Sequence, residues 1–292
     1  MISFSPSILS PRNADRWLSP LLTLLATTAA LILLLVLAFL LLEAWPVLSG
    51  GGWGRFLSGE GWYPLEGRFG VLPMVWATLA VALGTIILAA PLGLAGAIFE
   101  RFFAPAPIAK AYRMVLALLA GIPSVVYGLW GLTVLVPLIA LWHPPGAGLF
   151  TAIVILTLMI LPTVALTSAS ALQGVPASLL HGAAALGMNR KGVVIGVVVP
   201  AARSGIISGL LLAVARALGE TMAVLMVAGN VVQYPTGLFD PVRVLTANIA
   251  LEMGYATGDH RAGLFASGLM LTVMVLVLAW FSARLARDGR DG

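Results

Sequence analysis

Six stretches of this chain are apolar and about 20 residues or more in length, and that limits its fold before any single residue is weighed. A bilayer-crossing helix needs about 20 mostly apolar residues. Leu21–Leu42, Val71–Phe99, Val115–Trp142, Leu149–Leu172, Gly205–Ala228 and Ala262–Ala283 all qualify. Only 9% of residues are charged, where a soluble domain carries about 25%. The expectation is an all-α, polytopic membrane protein with six transmembrane helices and no large soluble domain. Pro123 and Pro137 fall inside the third stretch and predict a kink or a break there, either a hinge or a static bend.

The N-terminal run Leu21–Leu42 follows Arg12 and Arg16. It exceeds the 7–15 apolar residues of a signal peptide, so it reads as a retained first helix. Basic residues set the orientation. Arg12, Arg16, Arg101, Lys110, Arg113, Arg190, Lys191, Arg203, Arg284, Arg287 and Arg290 lie on one side of the expected topology. Only Arg55, Arg68, Arg243 and Arg261 lie on the other. Both termini are therefore expected in the cytoplasm. The same bias explains the net charge of +5 without nucleic acid. Trp45, Trp53, Trp62 and Tyr63 read as interfacial aromatics, and Ser49–Gly61, with Gly50–Gly52, as a flexible outer loop. The stretch Gly229–Arg261 is too polar for another full span, though it has room for a short or re-entrant helix near Val242–Tyr255.

The chain has no cysteine, and His143, His181 and His260 are far apart in sequence. Neither disulfide nor metal chemistry is indicated, and no cofactor is expected. Its two lysines, Lys110 and Lys191, lie outside any phosphate-loop pattern, so the chain is not expected to hydrolyse ATP itself.

Arg216 and Glu220 interrupt the fifth apolar stretch. A charge at mid-membrane costs roughly 2.5–3.5 kcal/mol on insertion scales and marks a polar pathway by default. Four residues apart on one helix, the two share a face and can pair. A guanidinium stays charged and presents a rigid fork of donors to an oxyanion. The alternative is an ion pair that only fixes helix packing. Thr221 and Ser208 offer hydroxyls to the same region, or simply bond to their own helix backbone.

The cytoplasmic loop Gln173–Ser204 predicts a short helix, Pro176–Leu186, with Pro176 at its start and Gly187 as a left-handed stop. Lys191–Pro200 then leads to the fifth span. Such a small apolar helix suits a groove on another protein; it equally suits the bilayer interface or packing on its own chain.

His181-Gly182-Ala183, three residues, Gly187, nine residues, then Val197-Val198-Val199-Pro200 resembles the cytoplasmic motif of binding-protein-dependent ABC permeases. His181 stands where that family usually has Glu, and Gly182 where it has Ala. The runs Pro200–Gly209, Ala215–Val224 (with Arg-Ala-Leu-Gly-Glu-Thr-Met-Ala-Val), Gly121–Leu132, Gly67–Gly70 and Ala266–Leu269 resemble phosphate ABC transporter permeases, of the PstC rather than the PstA type.

The resemblance implies type I ABC importer architecture in a bacterial inner membrane. Residues 1–66 would form a cytoplasmic segment, the first span and an extracytoplasmic loop. Residues 67–292 would form the permease domain, with a coupling loop at 173–204. It also implies a PstA-like permease subunit, an ATP-binding cassette ATPase dimer and an extracytoplasmic phosphate-binding protein as partners. Inorganic phosphate would follow a path at Arg216, Glu220 and Thr221 by alternating access. Ser178, Leu179, His181, Gly182, Ala183, Ala184, Leu186 and Gly187 would meet the ATPase. A proton-coupled secondary anion transporter using Glu220, a permease for another oxyanion, and a channel or scaffold with a structural Arg216–Glu220 pair remain as alternatives.

Overall fold

The computed structural model describes residues 11–57 and 61–288, and they are mostly helical. Four helices are long and apolar enough to cross a membrane: Leu18–Gly50, Leu72–Phe103, Leu149–Gln173 and Gly258–Phe281. Two bent pairs bring the number to six if each counts as one crossing. Ala106–Gly121 meets Ser124–Ala140 at 93°, and Arg190–Ala201 meets Arg203–Gly219 at 67°.

In chain order, α1 (Pro11–Phe56) leads into a two-residue antiparallel pair, β1 (Trp62–Tyr63) and β2 (Arg68–Phe69), with Trp62 opposite Phe69. Then come α2 (Leu72–Ile98), α3 (Ala106–Gly121), α4 (Ser124–Trp130), α5 (Val136–Ala140) and α6 (Leu149–Gln173). The short α7 (Ala177–Ala185), α8 (Arg190–Val193) and α9 (Val199–Ala201) precede α10 (Arg203–Gly219), α11 (Met222–Val227), α12 (Leu245–Glu252) and α13 (Gly258–Asp288). Wider π-helical turns occur at Phe99–Phe103, Gly131–Leu135 and Val194–Val198.

The interior divides into three apolar clusters. One, around Ala44, Phe56, Trp62, Leu245 and Leu264, joins α1 and the β pair to α12 and α13. The largest, around Ile155, Leu156, Ile160, Ala213 and Val227, joins α2, α6, α10 and α11. The third, around Ala97, Leu172, Val198 and Ile206, underlies the α7–α9 segment. Small residues let the helices approach. A Cβ on Gly93 would lie 2.6 Å from Val164, and one on Gly209 would lie 2.4 Å from the Thr167 hydroxyl. Such close backbone approach is how membrane helices gain packing energy. Helix α1 leaves its long leucine-rich face exposed and packs mainly on α13, as in the edge-to-face contact of Phe39 and Phe265.

Three expectations need correction. Helix α1 runs through Gly50–Gly52 to Phe56, where a flexible loop is expected; residues 58–60 lie outside the described residues. Burial of Ala44, Leu48 and Phe56 against α13 overrides the glycines' weak helix propensity. Trp62 is buried, not interfacial, while Trp45 and Tyr63 are exposed and the Trp53 side chain lies outside the described residues. The fifth apolar stretch, expected as one continuous helix, is broken after Gly219; the third is broken as well, as its prolines predict. Pro123 ends α3 and starts α4 because it lacks an amide proton and holds Ile122 extended. The short helix expected in the Gly229–Arg261 stretch is α12.

Candidate functional site

Helix α10 ends at Gly219, and Glu220 is already extended (φ −69°, ψ 129°). The i to i+4 geometry on which an Arg216–Glu220 pair depends is therefore lost. Glu220 instead turns its carboxylate to the next helix, accepting the Ala223 N–H at 3.2 Å. It occupies the position before the N-cap of α11, where a carboxylate satisfies an otherwise unpaired donor. The Glu220 carbonyl accepts the Thr246 hydroxyl at 2.8 Å. Its side chain is half-buried, beside a void of about 10 Å³ lined in part by Thr78, Ala217, Val224 and Thr246.

Arg216 is exposed on the last turn of α10. Among the described residues no carboxylate lies within ion-pair distance of it. It does lie close enough to Tyr127 of α4 for its charge to act on that phenol. Tyr127 itself donates to the Leu119 carbonyl at 3.0 Å. Leu212, one turn earlier on the Arg216 face, is also exposed. Thr221 donates to the Gly219 carbonyl at 3.2 Å and Ser208 to the Ser204 carbonyl at 2.8 Å. Both hydroxyls thus have backbone partners, as is usual within helices. Glycines bring α4 onto α11: a Cβ on Gly128 would sit 2.9 Å from the Ala223 Cα.

The segment from Gly229 to Val244 folds back onto the end of α11 and the start of α6. Its backbone pairs Asn230 N–H with the Val242 carbonyl and Val242 N–H with the Ala228 carbonyl. Its carbonyls also close the start of α6. Leu149 N–H donates to Asp240 at 2.9 Å and Phe150 N–H to Leu238 at 2.8 Å. The Asp240 carboxyl is held below its ordinary range, first by the Thr236 hydroxyl and then by the Gly237 N–H.

A polar cluster that hydropathy reading missed anchors this segment. Buried Glu252 accepts Trp62 Nε1 at 2.7 Å and Arg243 Nη1 at 2.7 Å, and His260 Nε2 lies 2.8 Å from it. Arg243 also donates to the Asn230 carbonyl and to Asn248 Oδ1. The available signal was the charge, Arg243 and Glu252 included, that makes this stretch too polar for a span; the contact with Trp62, 190 residues away, had none.

The short helix expected at Pro176–Leu186 forms as its residues predict. Pro176 precedes α7, and Gly187 takes φ +72°. Leu180 packs on the cluster beneath α8 and α9, and Ala183 is buried. Ser178, Leu179, His181, Gly182, Ala184, Leu186 and Gly187 are exposed, Leu186 at 83%. Of the residues expected to form the coupling surface, Ala183 alone faces inward.

The profile of the family described as "Binding-protein-dependent transport system inner membrane component" matches residues 89–290. The chain is 38% identical to the phosphate transport system permease protein PstC of Mesorhizobium japonicum, over 91% of this chain and 90% of that one. It is 41% identical to the probable ABC transporter permease protein YqgH of Bacillus subtilis, over 79% and 78%. Among solved structures it is similar to an inward-facing MetNI methionine ABC transporter (TM-score 0.61, 19% identity, covering 75% of this chain and 95% of that one). It is also similar to a bacterial ABC transporter for import of the acidic polysaccharide alginate (TM-score 0.59, 17% identity, covering 95% and 98%). Profile, relatives and fold agree: this chain belongs to the binding-protein-dependent transport system inner membrane component family.

Proposed function

We propose that this chain is the transmembrane permease subunit of an ATP-driven inorganic phosphate importer, with Arg216 on the translocation path. The observation that carries the path assignment is an exposed guanidinium on an apolar helix with, among the described residues, no carboxylate within ion-pair distance. Its relatives of the PstC type supply the substrate. A phosphate oxyanion meets Arg216 through charge-assisted hydrogen bonds. Glu220, tied to the Ala223 N–H at the break, lies beside the path and leaves Arg216 free for the anion. Thr221 marks the break at the same level.

The chain crosses the inner membrane six times with both termini in the cytoplasm. A PstA-like permease lies beside it and completes the path. An extracytoplasmic phosphate-binding protein delivers the anion. An ATP-binding cassette dimer receives the exposed face of α7, and ATP-driven closure of that dimer alternates access.

The test is radiolabelled phosphate uptake in cells lacking the chain, restored with wild type or Arg216→Gln at equal membrane abundance. Rescue by wild type alone is expected, and uptake should follow ATP rather than the proton gradient. Equal rescue by both proteins would remove Arg216 from the path.

A further inference from the structure

We propose that Thr246 is a positioning residue for the translocation path: it holds the α10–α11 break open so that Glu220 cannot neutralise Arg216. This rests on the reading of Arg216 as a path residue.

A helix ending inside a membrane leaves carbonyls unpaired, and in hydrocarbon each needs a partner. At this break the Glu220 carbonyl receives the Thr246 hydroxyl at 2.8 Å. Thr246 is 6% exposed, so water does not replace that donor. Its position is fixed at both ends of α12. At the start, Leu245 N–H donates to the Thr78 hydroxyl of α2 at 3.0 Å. At the finish, Glu252 is gripped by Arg243, Trp62 and His260. The void at the site holds about one water at most, so α12 has little room to slide.

With its carbonyl so held, Glu220 stays extended and its carboxylate reaches the Ala223 N–H. Were α10 to continue by one turn, Glu220 would fall four residues from Arg216 on the same face and pair with it. The anion would then compete with a built-in carboxylate. The Thr246 hydroxyl favours the broken form by removing the cost of the unpaired carbonyl.

The test is phosphate uptake per assembled complex, in cells carrying all partner subunits. Thr246→Val should lower uptake about three- to tenfold, the effect of losing one buried hydrogen bond. Thr246→Ser should restore it. Whatever Glu220→Gln does by itself, adding Thr246→Val to it should lower uptake no further, because a neutral amide cannot cancel Arg216. If the valine variant is lost from the membrane, Thr246→Ala is read in its place. Undiminished uptake in these variants, with Arg216→Gln inactive, overturns the inference and leaves the path reading intact. So does a loss of equal size in the Glu220→Gln background, which would mark Thr246 as packing alone. Full uptake by Arg216→Gln removes the path reading and this inference with it.

Discussion

Trp62 and Glu252 are 190 residues apart in sequence, and the indole N–H of one donates to the carboxylate of the other at 2.7 Å. That contact ties the loop after the first span to the end of α12. Arg243 and His260 complete the grip on the same carboxylate. Glu252 is 8% exposed, so its charge depends on these partners rather than on water.

Removing that carboxylate should therefore be severe. Glu252→Ala leaves Arg243 without its ion-pair partner in a part-buried site, at a cost of about 3–5 kcal/mol. Trp62→Phe keeps a smaller aromatic ring and loses one hydrogen bond to a charged group, about 1.5–3 kcal/mol, with some buried volume besides. Thermal unfolding of the purified complex checks both, with a larger drop for Glu252→Ala. An unchanged midpoint in that variant would show that the cluster does not support the fold.

Thr78 is the acceptor for the first free N–H of α12 while donating to the Met74 carbonyl at 2.7 Å. Thr78→Val preserves shape and leaves the buried Leu245 N–H unpaired. The expected loss is about 1–3 kcal/mol. Hydrogen exchange at Leu245 should rise first, and unchanged protection there would contradict the assignment.

Two glycines should respond in opposite ways. A side chain at Gly209 meets Thr167, so Gly209→Val overpacks the α10–α6 contact and costs about 1–3 kcal/mol. Gly182 lies on an open face of α7, with nothing within 4 Å of an added Cβ. Gly182→Ala should strengthen that helix by about 0.8–1.0 kcal/mol. The readouts are the yield of folded complex for the first and exchange protection of α7 for the second. A less protected α7 in Gly182→Ala would refute the propensity argument.

The Asp240 turn should loosen only in acid. Its carboxylate is stabilised in the folded state by Thr236 and Gly237, so its pKa lies below the usual 3.8. The stabilisation is complete above that value and disappears as pH falls through the lowered pKa. Protection of the Thr236 and Gly237 amides, relative to intrinsic exchange at each pH, should stay constant from neutral pH down to about pH 4 and then fall. In Asp240→Asn the acid-dependent loss of protection should vanish; its persistence would assign the effect to another group.

Much of the architecture was legible because membrane burial is written locally. A run of apolar residues marks a span whatever it packs against, and the ranges expected for the second, fourth and last spans agree closely with α2, α6 and α13. The α7 helix was equally readable, since Pro176 and Gly187 act on their own backbone. Gly50–Gly52 misled because weak local propensity yields to packing by Leu48 and Phe56.

By itself the chain's order of residues determined that it folds as membrane-embedded helices, where most of them lie, and that Arg216 and Glu220 interrupt the fifth apolar stretch. The tertiary structure alone decided that those two part company. Spacing describes a continuous helix, whereas the break at Glu220 is stabilised by Thr246 from α12. It likewise decided that Trp62, Arg243 and His260 converge on Glu252. The physical reason is the same in both cases: a buried polar group must find a partner, and the chain's path through space determines which one is within reach.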